Sequence, residues 1–348
     1  MRLSPASNTV FGATPELCPV IISDDDRRVI FLSLSQRDFE IASFLDQRLL
    51  TGNYPRLHVD WADIETGTAG RPEALDYIFH VGHVGSTLLS RVLGQSPTVF
   101  SIREPAVLRR LSALHGRIGA QPGPWSVSNW ETRLAALLRL WSRTWAAGQR
   151  TLLKATSSVG EIAAPLLGRG GARAVLLTVA PEIYLATILA GPASRVELEQ
   201  ATPARLARLN RRLGGEAWTA DALSEGERAA MGWVCEMAGL AAAAEAHPAA
   251  CLWMDFEALL ARPGEALTAA LNHLRGEAPP RLVEALAASP YFGRYSKAPE
   301  YGYSPDLRRQ VLDQARSEHG AELARGMAWL QRAAGDHPLI AGLISRPA

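Results

Sequence analysis

Apolar and polar positions along this chain follow two periods. Short apolar runs bounded by turn residues read as strands, and apolar positions three and four apart read as helices. The strand-like runs are Arg28–Leu34, Tyr77–Val81, Thr98–Ile102, Thr151–Leu153 ending at Lys154, Arg173–Val179 and Cys251–Met254. Helical spacing covers Gln36–Leu50, Leu88–Leu93, Trp130–Ala147, Pro181–Ala190, Arg195–Leu213 and Glu225–His247. It resumes at Pro263–Leu274, Arg281–Ala288, Pro305–His319 and Ala321–Ala334. Pro181 suits a first helical turn, and Asp255 suits an N-cap.

From Asp76 onward strands alternate with helices. That order predicts an α/β fold whose mostly parallel sheet is covered on both faces, with a helical C-terminal part. The turn-rich stretch Gly67–Pro72 separates two compositions. Residues 1–70 hold 6 Arg against 10 Asp+Glu, a net charge of −4. They read as an N-terminal extension packed on a main domain of residues 71–348.

Composition then narrows the function classes. The 348 residues are 47% hydrophobic and 20% charged, which excludes a disordered chain. A formal net charge of +1 excludes a generally basic nucleic-acid binder. Three scattered cysteines, Cys18, Cys235 and Cys251, have neither metal-ligand spacing nor a disulfide pattern. No membrane-length apolar run and no signal-peptide core are visible, so a cytoplasmic protein is expected. Among the basic residues 34 are arginine and only two are lysine, Lys154 and Lys297.

The densest chemical signal is Gly82-His-Val-Gly-Ser-Thr87, between a strand and a helix. Loop amides and a helix N-terminus together attract an anion, Gly82 and Gly85 permit close backbone approach, and Ser86 and Thr87 add hydroxyls. An ordinary tight βα turn is the plainer alternative. The loop is not a Walker A motif, because Ser86 rather than lysine follows Gly85.

Phe79-His-Val-Gly-His-Val-Gly-Ser-Thr-Leu-Leu-Ser-Arg91, followed by Ser96-Pro-Thr-Val-Phe-Ser-Ile-Arg-Glu-Pro105, resembles the phosphosulfate loop region of the sulfotransferase family. Its closest motif likeness is to the tyrosylprotein and bacterial branch. Leu152–Thr156, Ala174–Leu189 and Leu252–Pro263 continue the resemblance in the family's order, so that it spans roughly residues 76–275. It implies a P-loop nucleotide-kinase-like three-layer fold. It also implies transfer of a sulfuryl group from 3′-phosphoadenosine 5′-phosphosulfate (PAPS) to a hydroxyl or amine, without a metal. A small molecule or peptide would be the acceptor, and a homodimer is compatible.

The resemblance assigns roles residue by residue. Gly82, His83, Val84, Gly85, Ser86 and Thr87 would hold the donor. Glu104 would be the general base, or alternatively a cap or a partner of Arg103. Lys154, ending its strand, would contact the transferring group, the alternative being a surface lysine. Tyr295 and Lys297 lie in a late aromatic, basic loop that would close over the nucleotide. Two positions depart from the family. Val179 stands where an arginine usually meets the 3′-phosphate, leaving Thr187 as the hydroxyl and Arg195 as the nearby guanidinium. His83 stands where the loop often carries lysine or arginine, and would stabilise the moving charge. His80 and His83 lack a third ligand, so no metal site is expected. A nucleotide-dependent phosphotransferase on the same fold and a non-catalytic nucleotide-binding module are the other readings.

Overall fold

The computed structural model describes residues 11–118, 125–294 and 302–346. The N-terminal part builds a small sheet of its own. β1 (Leu17–Ile22), β2 (Arg28–Ser33) and β3 (Arg56–Asp60) form an antiparallel meander in that order. Only β2 has the apolar pattern of a strand. β1 carries Pro19 at a register irregularity, and β3 buries Val59 alone, so neither shows a clean alternation. Helix α1 (Gln36–Ile41) lies between β2 and β3, and α2 (Trp61–Thr68) follows β3.

The single helix expected over Gln36–Leu50 is broken. α1 stops at Ile41, because buried guanidinium groups take the carbonyls at its end. Arg91 donates to Glu40 O and Ile41 O at 3.0 Å each, and to Ser43 Oγ at 2.9 Å. Arg103 donates to Ala42 O at 2.8 Å and also to Phe39 O. Burial lowers the Arg103 pKa to about 9. Arg91 and Arg103 lie 48 or more residues further along the chain, so this helix end is a tertiary event that local spacing does not record.

From residue 75 the chain runs β4 (Leu75–His80), α3 (Ser86–Leu93), β5 (Val99–Arg103), α4 (Ala106–His115), α5 (Val127–Trp141), β6 (Arg150–Lys154), α6 (Ala163–Leu167), β7 (Ala174–Thr178), α7 (Pro181–Ala190), α8 (Pro192–Leu213), α9 (Glu225–Ala246) and β8 (Cys251–Asp255). It ends in α10 (Phe256–Ala261), α11 (Pro263–His273), α12 (Pro280–Ala287), α13 (Pro305–Glu318), α14 (Gly320–Asp336) and α15 (Pro338–Ile344). The five strands are all parallel, in the order β5-β6-β4-β7-β8. β4 and β7 are buried at every residue, as strands covered on both faces must be. The architecture is three-layer α/β/α with a helical C-terminal part.

Local signals set several boundaries. Ser126 and Asn129 form a capping box, so α5 starts before Trp130 and ends at Trp141 rather than Ala147. Asp255 accepts from Ala258 N at 2.8 Å and caps α10. Pro181 opens α7. α8 begins at Pro192, three residues before the expected start at Arg195, which lies in its first turn.

Candidate functional site

β4 occupies the middle of the sheet, with β6 on one side and β7 on the other. The chain leaves β4 toward β5 and later returns to the opposite side for β7. A crevice therefore opens at the carboxyl end of β4, where ligands of open α/β sheets bind. A cavity of about 120 Å³ lies there. Its lining includes the loop residues His83–Thr87 together with Glu104, Lys154 and Thr187.

The loop is held open by backbone geometry. Gly82, His83 and Gly85 have φ of 93°, 54° and 66°. Gly85 is the left-handed N-cap of α3, and no side chain caps that helix. Serine or aspartate side chains cap α1, α5, α9, α10 and α13. The first-turn amides of α3 thus have no side-chain acceptor of their own and stand beside the cavity. Thr87 adds the sharper observation. It is 2% exposed, lines the cavity, and its Oγ1 has no hydrogen-bond partner among the described residues. A buried hydroxyl left unsatisfied costs free energy that an anion in the cavity would recover.

Below the loop, His80 bridges two segments. Its Nε2 faces Ala155 O at 2.8 Å, and its Nδ1 accepts from Gly82 N at 3.0 Å. That pattern assigns a neutral ring protonated on Nε2. Behind Gly82 lies Tyr184, whose phenol burial pushes up to about 12. It is a neutral hydroxyl, without a partner among the described residues.

The two candidate catalytic groups meet. Parallel pairing sets Arg103 opposite Lys154, and the Glu104 amide continues the ladder to Lys154 O at 2.7 Å. Lys154 Nζ donates to Glu104 Oε1, and Thr156 Oγ1 reaches Oε2 at 3.4 Å. Lys154 is fully buried, so the surface alternative falls. Glu104 has φ of 46°, which a non-glycine residue adopts at a cost of about 1–3 kcal/mol. Helix capping does not explain that strain, since no side chain caps α4.

His83 points its ring toward α8. Nε2 lies 3.4 Å from Glu197 Oε2, and Nδ1 lies 3.4 Å from Ser194 Oγ. An acidic partner for this loop histidine was not visible in sequence, because 114 residues of chain separate the two positions.

Other expectations are redrawn. Arg195 does not line the cavity. Its guanidinium is committed to Glu225 on α9, at 2.6 and 2.9 Å. Thr187 does line it, but its hydroxyl donates to Ile183 O one turn back, at 2.7 Å. Val179 is buried, and its carbonyl accepts from Trp233 Nε1 at 3.0 Å. Tyr295 and Lys297 lie outside the described residues. The flanks of their loop do reach the site: Arg294 and Tyr303 line the cavity, and Arg294 bridges to Gly302. Arg308 and Phe256, which carried no sequence signal, complete the wall. Arg308 stacks 5.0 Å from the Phe256 ring centroid and donates to Glu257 Oε1 at 3.1 Å.

Among the described residues no cluster of three His, Cys, Asp or Glu could hold a metal, and no helix is long and apolar enough to cross a membrane. No family model matches the chain, and no curated protein matches it. Solved structures do. The sulfotransferase domain of the curacin biosynthetic pathway is 12% identical, with 72% of this chain and 98% of that one covered and a TM-score of 0.39. A sulfotransferase from Mycobacterium avium is 14% identical, over 74% and 78% of the two chains, at 0.37. One from Alicyclobacillus acidocaldarius is 12% identical, over 80% and 98%, at 0.39.

Proposed function

We propose that the chain is a sulfotransferase that moves a sulfuryl group from PAPS to a hydroxyl or amine. The observation that carries this reading is the fully buried Lys154, paired with Glu104, facing an uncapped, glycine-rich helix N-terminus across one small cavity. A phosphate-binding module needs the loop but has no use for a fully buried lysine paired to a strained glutamate.

PAPS would supply an activated sulfuryl group on a good leaving phosphate. The amides of α3 and the hydroxyls of Ser86 and Thr87 suit the oxygens of its phosphosulfate end, since they are donors fixed before the charge arrives. Lys154 is a compact cation that suits the oxygens of the moving group. Glu104 accepts the proton of the acceptor hydroxyl or amine as the acceptor–sulfur bond forms and the sulfur–phosphate oxygen bond breaks. The mutual contact of Lys154 and Glu104 is then a resting arrangement, in which each holds the other's place. His83, beside Glu197, supports the leaving oxygens. Arg294, on the cavity rim, is the guanidinium best situated for the nucleotide's 3′-phosphate, in place of Val179 and Arg195. An acceptor that is a small molecule or peptide remains part of the proposal, as do a cytoplasmic location and a homodimer.

Isothermal titration with 3′,5′-adenosine bisphosphate (PAP), the nucleotide product of that reaction, tests it. Binding of PAP well ahead of AMP is expected. Absence of PAP binding to folded protein, with magnesium-dependent ATP binding in its place, overturns the donor assignment and favours a phosphotransferase.

A further inference from the structure

The N-terminal extension reaches the catalytic pair. After α1, residues 42–46 run beside β5: Leu45 N donates to Arg103 O at 2.9 Å, and Ala106 N donates to Leu45 O at 3.0 Å. These bonds bracket Glu104. Phe44, the residue between Ser43 and Leu45, brings its ring to 5.6 Å from Lys154 Nζ, centroid to nitrogen. The guanidinium carbon of Arg48, from the same extension, lies 3.9 Å from that centroid. Asp46 holds Arg48 by a paired contact through Nε at 2.8 Å and Nη2 at 2.5 Å.

We propose that Phe44 is a positioning residue of the catalytic centre, a ring supplied by the extension that steers the Lys154 ammonium within the pocket. This rests on the sulfotransferase reading for its catalytic consequence, but not for its structural one.

Two observations and one physical argument support it. Lys154 is fully buried, so its ammonium has exchanged water for protein groups. An aromatic face is a cation acceptor that, unlike a carboxylate, leaves the charge available to a sulfuryl oxygen. Phe44 can therefore hold Nζ in place when Glu104 turns to the acceptor. The backbone that leads to the ring is also anchored from the donor side. Arg91, one turn along the helix that starts at the anion loop, holds Glu40, Ile41 and Ser43, while Arg103 precedes Glu104 directly and holds Phe39 and Ala42. The same two arginines that end α1 thus fix the Phe44 backbone relative to both halves of the site.

The scarcity of lysine makes the test clean, since protein labelled with ¹³C at lysine Cε gives signals from Lys154 and Lys297 alone. Ring current should move the Lys154 signal, assigned with Lys154→Met, away from the ordinary lysine position. Phe44→Leu should return it, and Phe44→Trp should keep it displaced. Turnover of PAPS to PAP with a simple phenol as acceptor should fall about tenfold in Phe44→Leu through kcat, with PAP affinity held, and recover in Phe44→Trp. An undisplaced Lys154 signal in the wild-type protein overturns the proposal, and so does a Phe44→Leu variant that keeps wild-type kcat. Failure of PAP to bind any variant, with the signal displaced as expected, instead removes the sulfotransferase reading and leaves the contact standing.

Discussion

Gly85 turns the anion loop directly against the ring of Phe256: a Cβ on Gly85 would sit 2.0 Å from Phe256 Cε2 and 2.3 Å from Cζ. The φ of 66° at Gly85 already disfavours any side chain. Gly85→Ala should destabilise the protein by at least about 2 kcal/mol, from left-handed strain and overpacking together. Urea unfolding measures it. In a Phe256→Ala background the same substitution should cost less, because the overlap is gone and only the strain remains.

Thr87 separates binding from stability. Its buried hydroxyl has no partner among the described residues, so Thr87→Val should leave stability unchanged or raise it by up to about 1 kcal/mol. Affinity for PAP should fall by about tenfold, the worth of a hydrogen bond to a charged group. Thermal melts and titrations on the same preparation decide it, and a variant that loses stability while keeping affinity contradicts the assignment.

Lys154→Met keeps most of the buried volume and removes the charge. Sulfuryl transfer should fall by about 10²-fold or more, as for loss of one preorganised donor. The thermal midpoint should shift by only a few degrees, because Glu104 retains some exposure and Thr156 as a neighbour. Full activity in this variant removes Lys154 from the mechanism.

Behind the site, buried Glu236 sits between a buried arginine, Arg205, with Nε at 3.0 Å, and a half-buried one, Arg208, with Nη2 at 2.8 Å. Burial by itself would raise its pKa. Attraction to Arg208 and Arg205, and their hydrogen bonds, outweigh burial and hold the carboxyl below the usual carboxylate value. The folded state then takes up this proton less readily than the unfolded chain. Its stabilisation is complete above the unfolded value and is lost as pH falls through the folded one. Glu236→Gln should cost about 3–5 kcal/mol at neutral pH, since the buried Arg205 and the half-buried Arg208 lose their counter-ion. It should also flatten the acid limb of stability, measured by urea unfolding from neutral pH down to about pH 3.

The strand–loop–helix around Gly82–Thr87, the strands ending in Lys154 and Val179, and the caps at Asp255 and Pro181 were legible in the chain itself. Each depends on neighbours within a few positions, where hydrophobic period and capping chemistry act. The weaker strands β1 and β3 were not, because one is interrupted at Pro19 and the other buries a single residue. Two of the named binding residues, Thr187 and Arg195, were assigned by their place in a motif, yet both side chains are committed elsewhere, to Ile183 O and Glu225.

Sequence by itself therefore determined an α/β chain with a glycine loop between strand and helix, a candidate base in Glu104 and a candidate cation in Lys154, both at strand ends. Tertiary structure decided that those two candidates touch, since inserting β6 between β5 and β4 sets Arg103 opposite Lys154 and brings Glu104 onto the ammonium. It also decided that Phe44 leaves its helix to reach them. Two arginines from further along the chain take the carbonyls at that helix end, and a contact across 50 or more residues is set by sheet order and burial rather than by any local period.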